Sequence, residues 1–295
     1  MASDTPLGVT VPDHTVPRLS VVIPTRDRHT ALTACLTLLA PGAQTLDAAN
    51  YEVVVADDGN AAATRSFLSE QFPWVRHVDG PGRGPAANRN AGARGSRGEW
   101  LVFTDDDTQP GREWLAAIVD ASAGVDVVEG RTTCQDGVRS PRDHAPVNET
   151  GGWWWSCNLA VRRDVFARLG GFDERFRVAH MEDVDLRERA RKLGITSRFA
   201  PHATVDHPPR RERWGTGWAP VHQAELVFAE LHRRPLALVR ALTSTARVRA
   251  RSVARAPVSR DGISAAVSAL VELVYVMWKW GDWKANARAV AMTPR

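Results

Sequence analysis

Trp100-Leu-Val-Phe-Thr-Asp-Asp-Asp107 decides the reading of this chain. A short apolar run stops at three carboxylates. Residues 100–103 are too few for a helix and rich in aromatic and β-branched side chains, which predicts a buried strand. The acids then stand where the strand leaves the sheet. In an open α/β sheet that carboxyl edge is where ligands bind. Asp105 and Asp107, two apart, can aim at one point when the turn curls. Such a pair suits Mg²⁺ or Mn²⁺, hard cations usually held by one or two carboxylates and substrate phosphates. A solvated acidic loop ending a strand explains the triplet equally well on its own, so its neighbours decide.

Outward from that strand, apolar runs and helical periods alternate. Strands are predicted at residues 19–23, 51–56, 74–78 and 125–129, with helices at 30–39, 61–71, 85–94 and 112–121. Gly80-Pro-Gly-Arg-Gly-Pro85 opens the third helix. This order predicts an α/β fold with a mostly parallel sheet covered on both faces. Residues 131–152, rich in Gly, Pro and Asp, read as a long loop, a length that is usually functional or disordered. Asp164 is expected to cap a short helix that Gly170-Gly171 ends, and residues 182–193 form a second helix. From about Arg211 the pattern is helical with no further strand. The chain thus divides into a mobile tail (1–17), a sheet-bearing domain (18–207) and a helical extension (208–295).

Charge follows the same division. From Pro208 onward there are 15 Arg and Lys against 6 Asp and Glu, whereas the first 207 residues carry 23 against 28. A basic extension suits anionic partners: a membrane surface, nucleic acid or a phosphorylated substrate. Aromatics interleaved with that charge are few, so nucleic acid is not expected. Cys35, Cys134 and Cys157 have neither metal nor disulfide spacing, which fits a reducing compartment. The start shows no secretory signal, and no uninterrupted run of 18 apolar residues occurs. A cytoplasmic protein is expected, with peripheral contact at the inner membrane face as an alternative.

Further segments join the acid triplet. Ser20-Val-Val-Ile-Pro-Thr-Arg-Asp27 is a strand stopped by Pro24, with the polar groups of Thr25 and Arg26 at its exit. Val53-Val-Val-Ala-Asp-Asp-Gly59 is another strand ending in paired acids, able to accept hydrogen bonds from a base or ribose, or simply to form a turn. Asn88-Arg-Asn-Ala-Gly92 offers Arg89, which can pair with a diphosphate or brace carboxylates. Met181-Glu-Asp-Val-Asp-Leu-Arg187 places Glu182 and Asp183 at a helix start, where negative charge is also stabilising in itself.

Taken in order, these segments resemble glycosyltransferase family 2, a family of GT-A nucleotide-sugar transferases, over roughly residues 18–207. The resemblance implies a Rossmann-like mixed sheet flanked by helices. It implies an inverting glycosyltransferase that moves a sugar from a nucleoside-diphosphate sugar, UDP first among the bases, to an acceptor left unidentified. Asp57 or Asp58 then matches the acid that holds base or ribose. Asp105 and Asp107 match the DxD pair, with Asp106 between them and Asp107 the nearer metal ligand. Asp183, beside Glu182, matches the base. His207 falls where relatives place a histidine near the diphosphate or metal, with His202 a rival. The cofactor implied is Mn²⁺ or Mg²⁺.

Gly151-Gly-Trp-Trp-Trp-Ser156 adds a candidate acceptor surface. At strand spacing Trp153 and Trp155 face one side and Trp154 the other. Tryptophan rings stack on sugar faces and anchor ligands, or else cover the core. Three rivals remain. Gly80, Gly82 and Gly84 lack the dinucleotide fingerprint. A sugar-phosphate nucleotidyltransferase wants a glycine-rich loop after its first strand, where this chain has Pro24-Thr-Arg-Asp27. A non-catalytic nucleotide-sugar-binding protein has little need of both Asp107 and Asp183. Finally, Ile263, Ala266, Val267, Leu270, Val271 and Val274 recur at helical spacing. They form either a packing face or a face for a membrane, with Arg251, Arg255 and Arg260 nearby.

Overall fold

A computed structural model describes residues 16–211, 215–254 and 259–294. Most of the tail read at 1–17 lies outside the described residues, as does Arg255. The first half of the sheet is the parallel part: β1 (Leu19–Thr25), β2 (Tyr51–Asp57), β3 (Arg76–Asp79) and β4 (Trp100–Phe103). β1 pairs in parallel with β2 and β4, and β2 with β3. The crossovers are α1 (His29–Leu39), α2 (Ala61–Gln71) and α3 (Pro85–Arg94). Leu32, Cys35, Leu36 and Leu39 recur at helical spacing and bury α1 against the sheet. The Asn60 side chain caps α2 by accepting from the Ala63 N–H at 3.2 Å. Pro85 opens α3, where its missing N–H costs nothing. Gly92 lets α3 lie close on the sheet, because a Cβ there would stand 2.6 Å from Val22 Cγ1. These crossovers bring the ends of β1, β2 and β4 to one edge, with Thr25 opposite Asp57.

The second half of the sheet departs from the mostly parallel pattern. Strand order is β3-β2-β1-β4-β8-β6-β9-β5, where β5 is Gln109–Pro110, β6 Val127–Thr133, β8 Leu159–Arg162 and β9 Ser197–Asp206. β8 runs antiparallel between β4 and β6, and β5 antiparallel to β9. Neither β8 nor β9 announces itself in the sequence. β8 is four residues long, and β9 carries Pro201 in its middle. The register of β9 on β6 slips there: Gly130 faces Ala200 and Arg131 faces Thr204, so residues 201–203 bulge out. Asn158 fills the gap by donating to the Arg131 and Ala203 carbonyls, while its Oδ1 accepts from Trp114 Nε1 at 2.8 Å. Trp114 opens α4 (Trp114–Ala121), which packs against β9.

Two local expectations are corrected. Asp164 does not cap its helix. It lies in the first turn of α5 (Arg163–Arg168), paired with Arg162, which holds the cap position. The stretch 131–152 is not all loop. β6 continues to Thr133, and β7 (Asp143–His144) pairs with β10 (Arg210–Arg211) as a small ribbon.

Beyond α6 (Glu182–Lys192) and β10 come α7 (Ala219–Leu231), α8 (Ala237–Val253) and α9 (Arg260–Met292). Phe176, Leu226, Val227, Val276 and Trp283 form a core between these helices and the loop before α6. At its centre is a buried ion network. Glu272 accepts from His222 Nε2 at 3.0 Å and from Arg249 at 3.1 Å, and Arg249 lies over the Trp218 ring. Glu225 meets His222 Nδ1 at 3.1 Å and His180 Nε2 at 3.4 Å. Burial opposes charge on His222, yet its bonds to Glu225 and Glu272 push it up to about 9. Burial likewise opposes charge on Glu225, and His180 and His222 pull it down to about 2.

The signs define a stability window. A raised histidine stabilises fully below its ordinary value and loses that contribution as pH rises through about 9. A depressed glutamate contributes above its ordinary value and loses it as pH falls toward about 2. Thermal unfolding followed across pH should show both limbs. His222→Gln should flatten the alkaline one, and an unchanged alkaline limb would remove His222 as its source.

Candidate active site

The parallel strands deliver their acids to one edge. After β4 the chain turns, with Thr104 donating to the Cys157 carbonyl and Thr108 to the Asp105 carbonyl. The turn separates the three aspartates. Asp106 points inward, where Thr25 Oγ1 donates to one oxygen at 2.8 Å and Arg28 pairs with the other at 2.7 Å. Burial pushes its carboxyl up to about 6, against the pull of Arg28. Both oxygens of Asp106 are thus taken up by the protein. Asp105 and Asp107 come toward His207 at the end of β9, and Asp107 also pairs with Arg28 at 2.7 Å.

Asp105, Asp107 and His207 each offer a ligand atom, all within 4.8 Å of one another. His207 is buried, and its Nδ1 lies 3.0 Å from the Pro208 carbonyl. Donation there leaves the Nε2 lone pair toward Asp107, at 3.7 Å, and Asp105, at 4.0 Å. His202 is exposed on β9 and takes no part. The donor set fits a divalent cation: two carboxylates and one imidazole. A positive group already meets it. Arg210, brought in by β10, places Nη2 2.6 Å from Asp107, 3.9 Å from Asp105 and 3.3 Å from His207 Nε2. Burial works against charge on Asp107, yet Arg210 and then Arg28 hold its carboxyl below the ordinary range.

Arg89 joins this cluster to α6. Only 2% exposed, it donates to Asp105 at 2.6 Å and to Glu182 at 3.0 Å. Of the two roles open to Arg89, the geometry shows the brace. Glu182 Oε2 is buried without a hydrogen-bond partner. Burial, then the neighbouring Asp183, pushes the Glu182 carboxyl up. Asp183 is half-buried, accepts from the Val184 N–H at 2.7 Å, and is also raised by burial. Met181, just before them, has φ +72°, a left-handed conformation rare for a side chain of its size.

The remaining candidates occupy distinct places. Asp57 is buried, one oxygen accepting from the Gly59 N–H and the other lacking a partner. Asp58 holds the glycine loop before α3, accepting from the Gly82 and Gly84 N–H groups at 2.9 Å. Pro24 and Thr25 end β1, while Arg26 is exposed and makes no ion pair among the described residues.

The tryptophan turn rests on a residue that the sequence reading passes over. Glu129, buried on β6, accepts from the N–H groups of Gly152, Trp153 and Trp154 at 2.6–2.7 Å and from Asn148 Nδ2 at 2.9 Å. Gly151 and Gly152 at φ +79° and +94°, with Trp154 at +61°, let three successive amides converge on one carboxylate. Trp154 is 5% exposed and packs into the core with Phe103's cluster. Trp153 and Trp155 stack on each other outside, centroids 5.4 Å apart, and Trp153 is 49% exposed. Glu129→Gln leaves one oxygen in place but turns an amide toward the nest. It should cost about 1–3 kcal/mol for the disrupted buried bonds, read as a fall in thermal midpoint; an unshifted midpoint would mean that the turn holds without the carboxylate.

Besides Glu129, the sequence reading misses Arg28 and Arg210. Arg28 is one of two arginines at the first strand exit, and the sequence gives no reason to choose it over Arg26. Arg210 stands three residues after His207, a spacing without meaning until the ribbon folds back.

Solved structures place this architecture. GalNAc-T7 with UDP, GalNAc and Mn²⁺ aligns with TM-score 0.53 at 18% identity, covering 74% of this chain and 48% of that one. Residues 1–349 of S. aureus TarS align with TM-score 0.54 at 17% identity, covering 93% and 88%. Sheet, flanking helices and acidic edge together define a GT-A fold. Residues 20–182, more than half of the chain, match the family described as Glycosyl transferase family 2. The chain belongs to glycosyltransferase family 2. It is 29% identical to validoxylamine A glucosyltransferase of Streptomyces hygroscopicus subsp. limoneus, over 68% of this chain and 51% of that protein. It is 29% identical to the glycosyltransferase AglE of Haloferax volcanii, over 66% and 68%. It is 27% identical to an N-acetylglucosaminyl-diphospho-decaprenol L-rhamnosyltransferase of Mycobacterium tuberculosis, over 52% and 66%. The chain spans about half the length of the first of these relatives.

Proposed function

We propose that this chain is a metal-dependent, inverting glycosyltransferase that moves a sugar from a nucleoside-diphosphate sugar, with UDP the first base to test, to an acceptor hydroxyl or other nucleophile. The observation that carries the reading is the convergence of Asp105, Asp107 and His207 on one point, with Arg89 joining Asp105 to the start of α6, where Asp183 stands. Asp107, Asp105 and His207 would hold Mn²⁺ or Mg²⁺, which when bound would supply positive charge toward the diphosphate. The protein's own residues do the rest. Asp57, with an unpartnered buried oxygen, receives an N–H or O–H from the base or ribose. Arg89 fixes Asp105 and Glu182 relative to each other. Asp183, raised by burial, takes the proton from the acceptor, which is otherwise a poor nucleophile. A single base opposite the leaving group gives one displacement and inversion. The Trp153–Trp155 stack offers an apolar face to the acceptor. The free thiols Cys35, Cys134 and Cys157 suit the reducing cytoplasm.

The test is a panel of nucleotide sugars screened by thermal shift with Mn²⁺, followed by turnover of whichever donor binds. Donor hydrolysis that disappears in excess EDTA and returns with Mn²⁺ supports the reading. Binding with no turnover under any acceptor would leave a nucleotide-sugar-binding protein. Release of pyrophosphate from a nucleoside triphosphate and a sugar phosphate would make it a nucleotidyltransferase.

A further inference from the structure

The apolar stripe on α9 is not a packing face. Ile263, Val267, Leu270, Val271, Val274, Met277 and Trp278 are all exposed, between 47% and 71%. The helix packs on α7 and α8 through a different set: Ala265, Ala269, Glu272, Val276 and Trp283. Seven large apolar side chains therefore share one solvent face over four turns, a clustered apolar surface of the kind that marks an interaction site. Two further features say what covers it. Residues 237–260 hold six arginines and no acid. Arg240, Arg247 and Arg251 are exposed on α8 and form no ion pair among the described residues. At the far end of the stripe Lys279 lies over the Trp278 ring at 4.4 Å and pairs with Asp282 at 3.2 Å, an aromatic with polar groups at the end of the apolar face.

We infer that α8 and α9 form a docking surface for an anionic lipid bilayer, with the α9 stripe entering the headgroup boundary and Arg240, Arg247 and Arg251 meeting the headgroups. A second copy of the chain would cover the stripe but bring the same unpaired arginines toward each other, which like charges oppose. Anionic lipid satisfies both at once. By length and composition α9 is also able to cross a membrane. Its other face argues for lying on one instead, because it buries Glu272 together with His222 and Arg249. The stripe end of α9 is also tied to the active-site ribbon. Arg142 donates to Ser268, and Ser140 and Arg211 meet Asp261. A surface held there stands next to the ribbon that carries Arg210 onto Asp107, which suits an acceptor presented at a membrane.

The test is flotation of the full chain with phosphatidylcholine vesicles, with and without phosphatidylglycerol, at low and high salt. Binding is expected to anionic vesicles at low salt, falling roughly fivefold for each arginine changed to Gln among 240, 247 and 251. Val267→Asp with Val274→Asp, both on the exposed face, should abolish flotation while donor hydrolysis in solution stays unchanged. Retained hydrolysis separates loss of docking from loss of the proposed chemistry. Protein that stays in the aqueous fraction with anionic vesicles overturns the inference. So does binding indifferent to phosphatidylglycerol, or a dimer in solution that the aspartate pair dissociates in the absence of flotation.

Discussion

Asp183→Asn is expected to lower turnover by roughly 10²–10⁴ while nucleotide-sugar affinity changes little. The substitution keeps the side chain's shape and its place at the start of α6 but removes the proton acceptor. In the proposed reading the donor is held by Asp57, Asp105 and Asp107 rather than by Asp183, so its binding should survive. Burial raises the Asp183 carboxyl, so wild-type turnover should fall on the acid side as the base takes a proton at a pH above the ordinary aspartate range. The variant's residual activity should lack that limb. Single-turnover rates and donor titrations across pH measure both. A variant with near-normal turnover and an intact acid limb would move the role, first to Glu182 or to His180.

Arg89→Leu is expected to destabilise the fold by about 3–5 kcal/mol, because it leaves Asp105 and the buried Glu182 without their shared partner. Arg89 is 2% exposed, and it also stands 5.9 Å from the Phe172 ring centroid. Denaturant unfolding reads the loss. The double change Arg89→Leu with Glu182→Gln should recover part of it, since one stranded charge is then gone, and that coupling identifies electrostatics rather than lost volume as the cause. Equal destabilisation in the single and double variants would assign the effect to packing.

The parallel half of the sheet is legible in sequence because β1, β2 and β4 are largely apolar runs ended by a polar turn, as in 51–57 and 100–107. The acid edge follows directly, since the chemistry sits where those runs stop. The other half is hidden for physical reasons. β8 is too short to show alternation, and β9 spends three residues in a bulge around Pro201, so its period breaks midway. The site is legible as residue types but not as orientations. Nothing in Asp-Asp-Asp tells that Asp106 turns in to Thr25 while Asp105 and Asp107 reach His207. Glu129 is equally silent, since a lone acid in a strand signals nothing until three amides from residues 152–154 meet it. The helical stripe on α9 shows in the sequence. Which side of the helix the protein covers does not, because Ala265 and Ala269 give the packing face a weaker apolar signature than the face left bare.

The sheet ends in β3 on one side and β5 on the other. β3 is four residues long, with Arg76, His77 and Asp79 among them, and β5 is a two-residue strand that includes Pro110. The β3 row is therefore short and charged, while on the other side β5 covers only Val205 and Asp206 of β9, whose own edge is broken by Pro201 and its bulge, so both offer a poor template for a strand from another molecule. Chains of this kind have little means of lengthening one another's sheets into ribbons or fibrils. Self-association at high concentration should proceed through helices, and additives that mask apolar surface should suppress it where those that compete for main-chain hydrogen bonds do not.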